Sequence, residues 1–112
     1  MAKDELFVGH ILEAIGNIEQ FLHGVTHEKF LADKLIQSAV IRQIEIVGEA
    51  TKNLSIGLRE QEKNVPWQDI TGMRDMLIHE YFGVDLEEVW KTSTKDIPEL
   101  KRLILNYTGS VK

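Results

Sequence analysis

The sequence predicts an all-α fold, a single helical bundle of about five helices across residues 1–112. Three observations point there. Apolar residues recur at three- and four-residue steps through most of the chain, and no segment sustains strand-type alternation. Only two Pro and eight Gly interrupt it, which leaves room for long helices. At 112 residues, with 43% hydrophobic and 28% charged content, the chain suits one domain around one modest core.

The first helix is expected over about residues 4–22. Val8, Ile11, Leu12, Ile15, Ile18 and Leu22 form one stripe, widened by Phe7, Ala14 and Phe21. Asp4 and Glu5 suit the positive end of its dipole. His23-Gly24 ends it, because Gly accepts the left-handed cap conformation.

A second helical region follows over about residues 28–54, with a break allowed near Asp33. Leu31, Leu35, Ala39, Ile41, Ile44, Val47, Ala50 and Leu54 mark its buried side, and Val40 and Ile46 add a second flank. So wide an apolar surface implies more than one neighbour. Gly48 lowers helix propensity, so its use is close helix approach. Glu49, next to it, reads as an ordinary surface acid rather than part of a polar pocket.

Residues 55–65 form a connection with at most a short helical turn. Pro66-Trp67 restarts a helix, with Pro in the first turn and Trp67 and Ile70 as anchors. Phe82-Gly83 closes it. Asp85 is an N-cap acid with Glu88 three residues on, and Leu86, Val89 and Trp90 are that helix's apolar side. Asp96 reads as the cap of a fresh helix, with Pro98 in its first turn and Leu100, Leu103, Ile104 and Tyr107 as its stripe.

Composition narrows the function. No Cys is present, so disulfides and thiolate metal sites are excluded. No apolar run approaches a membrane span, and the N-terminal residues lack the regions of a signal peptide, so a cytoplasmic protein with no membrane contact is expected. His10, His23 and His27 meet no metal-ligand spacing and read as solvated residues near helix ends, so no metal or other cofactor is expected. The net charge of −5 argues against a generic nucleic-acid binder. The one mildly basic stretch, residues 91–112, reads mainly as solvated helix faces.

The stretch WQDITGMRDMLIHEYF, residues 67–82, carries the chemistry. It sets Arg74, His79 and Tyr81 at fixed spacing. On an ideal helix Arg74 and Tyr81 share a stripe, whereas His79 is offset from Arg74 by roughly 140°. Arg74 and His79 converge only if the helix ends or distorts near His79, or if a second subunit supplies one of them. Asp75 lies one turn before His79 and is placed to orient its imidazole. RNA cleavage needs a group to move protons near neutral pH and a fixed positive charge for the phosphoryl oxygens. His79 and Arg74 supply both, with no metal required. On spacing alone, Arg74 and Asp75 equally fit plain surface charges, and Tyr81 a half-buried core residue with its hydroxyl at the rim.

The extended block GMRDMLIHEYFGVDLEEVW resembles the signature of the HepT toxins, a branch of the HEPN superfamily of α-helical ribonucleases. ADKLIQSAVIRQIEIVGEATKNL is similar to that family's long second helix, and VPWQDITGMRD and KDIPELKRLI to its flanking segments. The likeness runs from about residue 6 to 107. It implies a helical homodimer whose motif regions face each other, and a metal-independent endoribonuclease with Arg74 and His79 as the catalytic pair. It also implies a partner, a minimal nucleotidyltransferase antitoxin that transfers AMP to Tyr81. A bulky anion there would block RNA and repel its phosphates. One departure is Asp75, where many relatives carry Asn; it adds negative charge near a phosphate site. The alternative is a non-catalytic helical binding partner, or the antitoxin half, of such a nucleotidyltransferase.

Overall fold

A computed structural model describes residues 2–79 and 84–111 of the chain, with side chains for residues 3–77 and 84–106. Among the described residues, seven α-helical segments follow in order: α1 (Ala2–Leu22), α2 (His27–Ala32), α3 (Lys34–Lys52), α4 (Ile56–Gln61), α5 (Trp67–His79), α6 (Leu86–Lys91) and α7 (Ile97–Val111). A π-helical turn, Thr92–Asp96, joins α6 to α7. No strand occurs among the described residues, and none of their helices is long and apolar enough to cross a membrane.

Local chemistry explains the boundaries. Gly24, with φ +72°, turns the chain after α1. The Thr26 hydroxyl accepts from the Lys29 N–H at 3.1 Å and caps α2. Asp33 is extended (φ −118°, ψ 103°), which ends α2, and its carboxylate accepts from the Ile36 N–H at 3.1 Å, which starts α3. The break allowed at Asp33 is therefore a helix-to-helix joint. Gln37 secures it by donating to the carbonyls of Phe30 and Leu31. Ser55 caps α4 through the Leu58 N–H. Trp67 Nε1 donates to the carbonyls of Arg59 and Glu62, which folds the connection back onto the start of α5. Asp85 caps α6 as expected, accepting from the N–H groups of Glu87 and Glu88.

The core sits where α3 packs against both α1 and α5, with α7 closing the other side of α1. Ile11, Ile15 and Ile18 of α1, Ile44 and Val47 of α3, Ile70 of α5 and Leu100 of α7 are all buried. The α1 stripe holds as expected, except that Phe21, expected to widen it, is 36% exposed. The α3 stripe is rotated. Val40, expected on a flank, is 0% exposed, whereas Leu35, expected inside, is 80% exposed. The reason is that α3 must bury an arc facing two partners, and that arc centres on Val40, Ile44, Val47 and Thr51.

Asp96 does not cap a new helix. The chain stays helical through it, and the Ile97 N–H bonds to the Thr92 carbonyl, an i to i−5 contact. The local widening lets Pro98, which has no N–H, enter a helix already under way. Asp4 also does more than complement a dipole. It is buried, and its carboxylate accepts from the Ser55 N–H (2.8 Å) and hydroxyl (2.7 Å). His27 is likewise more than solvated: Nε2 meets Glu87 Oε1 at 2.6 Å and its ring lies 5.4 Å from that of Trp90, tying α2 to α6.

Candidate active site

Arg74 is placed by Gly48. The two meet where α3 and α5 pack, and the absent Cβ at 48 is the space that the Arg74 Cβ and Cγ occupy. The close approach expected of Gly48 is what the structure shows.

From that point the guanidinium reaches two carboxylates. Its NH2 lies 2.6 Å from Glu49 Oε2, and its NH1 donates to Asp75 Oδ1 at 3.0 Å. Lys52 Nζ reaches the same Asp75 oxygen at 2.6 Å. The result is an alternating row, Glu49–Arg74–Asp75–Lys52, laid across α3 and α5. Asp75 is held below the usual carboxylate range, first by the Lys52 hydrogen bond and then by that of Arg74. The Nε of Arg74 is buried and has no hydrogen-bond partner among the described residues.

Arg74 is not sealed in. Its side chain is 23% exposed and lines an open groove of about 310 Å³ with Phe7, His10, Arg42, Glu45, Ile46, Glu49 and Ala50. Helix α1 thus supplies one wall and α3 another. The arrangement offers a fixed planar cation to an anion that enters the groove.

His79 is the last described residue of α5, five positions beyond Arg74 on the same continuous helix. Its side chain lies outside the described residues, as do all of Tyr81 and the Phe82-Gly83 helix end. Asp75 was expected to orient the imidazole; its described partners are Lys52 and Arg74. Glu49 and Lys52 join the candidate site by pairing with Arg74 and Asp75, which spacing did not reveal. A signal for Glu49 did exist: it adjoins the one glycine marked as a contact point between helices. No group of three or more His, Cys, Asp or Glu among the described residues is arranged to hold a metal ion.

The fold and this site define a small all-α domain with an Arg-x4-His motif on a central helix. The Ribonuclease HepT-like family profile matches residues 11–106, and the chain belongs to that family. It is 47% identical over 95 residues to a probable ribonuclease HepT of Thermococcus cleftensis, covering 85% of this chain and 86% of that one. A candidate RNase of Caldanaerobacter subterraneus is 43% identical over 98 residues, with 88% of both chains covered. A protein of Methanocaldococcus jannaschii, named as a gamma-glutamylcyclotransferase and candidate RNase, is 48% identical over 106 residues. That match takes in 94% of this chain but spans about half (48%) of the relative's length. No solved structure gives a significant match.

Proposed function

We propose that this protein is a metal-independent endoribonuclease and the toxin of a toxin–antitoxin pair. The observation that carries the reading is the seating of Arg74: a guanidinium positioned by Gly48 and Glu49 and open to a groove, on the helix that also bears His79. Membership of the HepT-like ribonuclease family supports it.

In this mechanism the ribose 2′-oxygen attacks the adjacent phosphorus. His79 serves the proton transfers, taking the 2′ proton and supplying one to the departing 5′-oxygen. The products are a 2′,3′-cyclic phosphate and a 5′-hydroxyl. Negative charge grows on the phosphoryl oxygens, and Arg74 meets it with paired N–H donors. His79 and Arg74 diverge by roughly 140° along one ideal helix. The working pair is therefore built across a homodimer, Arg74 from one protomer and His79 from the other. A minimal nucleotidyltransferase antitoxin silences it by transferring AMP to Tyr81, two residues from His79, which places a bulky anion where RNA must enter.

The test is cleavage of labelled RNA in excess chelator by the wild type, Arg74→Ala and His79→Ala. The wild type is expected to leave cyclic-phosphate ends and both variants to lose activity. Equal cleavage by either variant would overturn the assignment of that residue. RNA left intact by the wild type, with ATP or AMP bound, would select instead a non-catalytic partner of the nucleotidyltransferase. Intact mass after co-expression with that enzyme tests the switch: a gain of AMP units, abolished by Tyr81→Phe, is expected.

A further inference from the structure

The groove beside Arg74 is furnished for more than a phosphate. Phe7 and His10 of α1 line it as an edge-to-face ring pair, with centroids 5.6 Å apart. Ile46 and Ala50 add apolar lining from α3. The rest of the lining is charged, and two of those groups are the carboxylates of Glu45 and Glu49.

Those carboxylates are out of place in a pure anion site, because each repels a phosphate. Glu49 is accounted for by its 2.6 Å pair with Arg74. Glu45 is not. Its side chain is only 23% exposed, and its one ion pair among the described residues is a long 3.5 Å approach to Arg42. An ionised carboxylate only accepts hydrogen bonds, so Glu45 suits an N–H edge rather than a phosphate oxygen. An exposed aromatic ring such as that of His10 suits the flat face of a base. A volume of about 310 Å³ falls at the small end of ligand pockets, which suits a single base.

We propose that this groove is a nucleobase subsite: a base flanking the phosphate at Arg74 stacks on His10, the exposed ring of the edge-to-face pair, and donates its N–H edge to Glu45. Guanine fits best, since its ring N1–H and exocyclic amino group lie side by side and match the two oxygens of one carboxylate. Uracil fits worst, since two carbonyls flank its single ring N–H. The neighbouring groove shares His10 and Ile46 and runs on between α1 and α3 past Asn17 and Gln43, which gives the strand a way onward. The proposal rests on the ribonuclease reading for the position of the phosphate.

The experiment titrates the full chain with GMP, AMP, CMP and UMP, following the His10 ring by NMR. In parallel, it measures cleavage of RNA oligomers that differ in the base beside the cut. Wild type is expected to favour GMP over UMP by roughly tenfold. His10→Ala, at an exposed position, should weaken all four severalfold. Glu45→Gln should bring the GMP-to-UMP ratio toward one with its thermal midpoint unchanged. Equal binding of the four nucleotides, or an unchanged ratio in Glu45→Gln, overturns the subsite. A chain that binds GMP against His10 but cuts no RNA keeps the subsite and defeats the nuclease reading. A chain that cuts RNA without base preference, and as well after His10→Ala, keeps the nuclease and defeats the subsite.

Discussion

A Cβ placed on Gly48 would stand 2.2 Å from the Cβ of Arg74 and 2.7 Å from its Cγ. The first of these atoms is fixed to the α5 backbone, so no rotamer change relieves the clash; α3 and α5 must move apart. Gly48→Ala is thus a contest. Helix propensity favours Ala by about 1 kcal/mol. Overpacking opposes it by about 1–3 kcal/mol. The clash should win, because 2.2 Å is far inside any tolerated carbon contact. The expected outcome is a thermal midpoint lower by several degrees and a larger loss of RNA cleavage, since Arg74 is carried off with α5. A midpoint equal to or above wild type would show that the helix contact is looser than this.

Glu49 tests orientation separately from stability. It is 56% exposed, so its pair with Arg74 contributes little to folding. Its 2.6 Å contact nevertheless fixes where the guanidinium points. Glu49→Gln should leave the thermal midpoint nearly unchanged and, with Arg74 in the proposed role, lower kcat by about tenfold or more, the cost of a reacting group displaced by a fraction of an ångström. Unchanged kcat would mean that Asp75 alone aims Arg74.

What spacing revealed and what it missed divide along sequence separation. The α1 stripe, the turn at Gly24, the break at Asp33 and the cap at Asp85 depend on residues within one or two turns, and all were readable locally. Gly48 was readable too, because a glycine inside a strong helix calls for a packing reason. The buried arc of α3 was not, since two partner helices set its phase and Leu35 lost to Val40. Asp96 followed a local cap rule, but the helix continued through it by a π-helical turn. The pairs Asp4–Ser55 and Glu49–Arg74 join residues from different elements, which no periodicity displays. At the candidate site, the motif's spacing located Arg74, and tertiary packing supplied the carboxylates that hold it.

Asp4 gives a pH-dependent prediction. Burial pushes its carboxyl up, but the hydrogen bonds from the Ser55 hydroxyl and N–H outweigh that and hold it below the ordinary 3.8. A folded pKa below the unfolded one means that the unfolded chain binds more protons between the two values. The stabilisation is therefore complete above the unfolded pKa and is lost as pH falls through the folded one. Asp4→Asn should cost about 1–3 kcal/mol at neutral pH, through a poorer acceptor for a buried N–H and hydroxyl. The gap to wild type should close below about pH 4. Urea midpoints of the two proteins from pH 7 to pH 3 check this, and parallel curves would contradict it.

Asp75 gives a prediction of opposite sign for activity. Its carboxylate pairs with Lys52 and with Arg74, the cation proposed to meet the phosphate. Asp75→Asn keeps the shape and a hydrogen-bonding oxygen but removes a charge that repels RNA. KM for RNA should fall severalfold, most clearly at low salt, where such repulsion is least screened. A KM that rises instead would mean that the carboxylate's hold on Arg74 outweighs its repulsion of the substrate.

The last prediction concerns which protomer supplies which group. Arg74 and His79 lie on one unbroken helix, α5, so a shared site within one protomer requires their side chains to overcome a divergence of roughly 140°. In the proposed homodimer the alternative is a pair formed across the interface. Mixing Arg74→Ala chains with His79→Ala chains separates the two. In a mixed dimer with crossed sites, one site carries both lesions, and the other combines the intact Arg74 of one chain with the intact His79 of the other. Random exchange at equal concentrations makes half the dimers mixed, each with one good site of two, so about a quarter of wild-type activity should return. If each site is built within one chain, no mixed dimer holds an intact pair and nothing returns. Measuring cleavage against mixing ratio, with each variant alone as the baseline, decides between them: a curve that peaks at equal proportions supports the crossed site, and a flat line at the baseline refutes it.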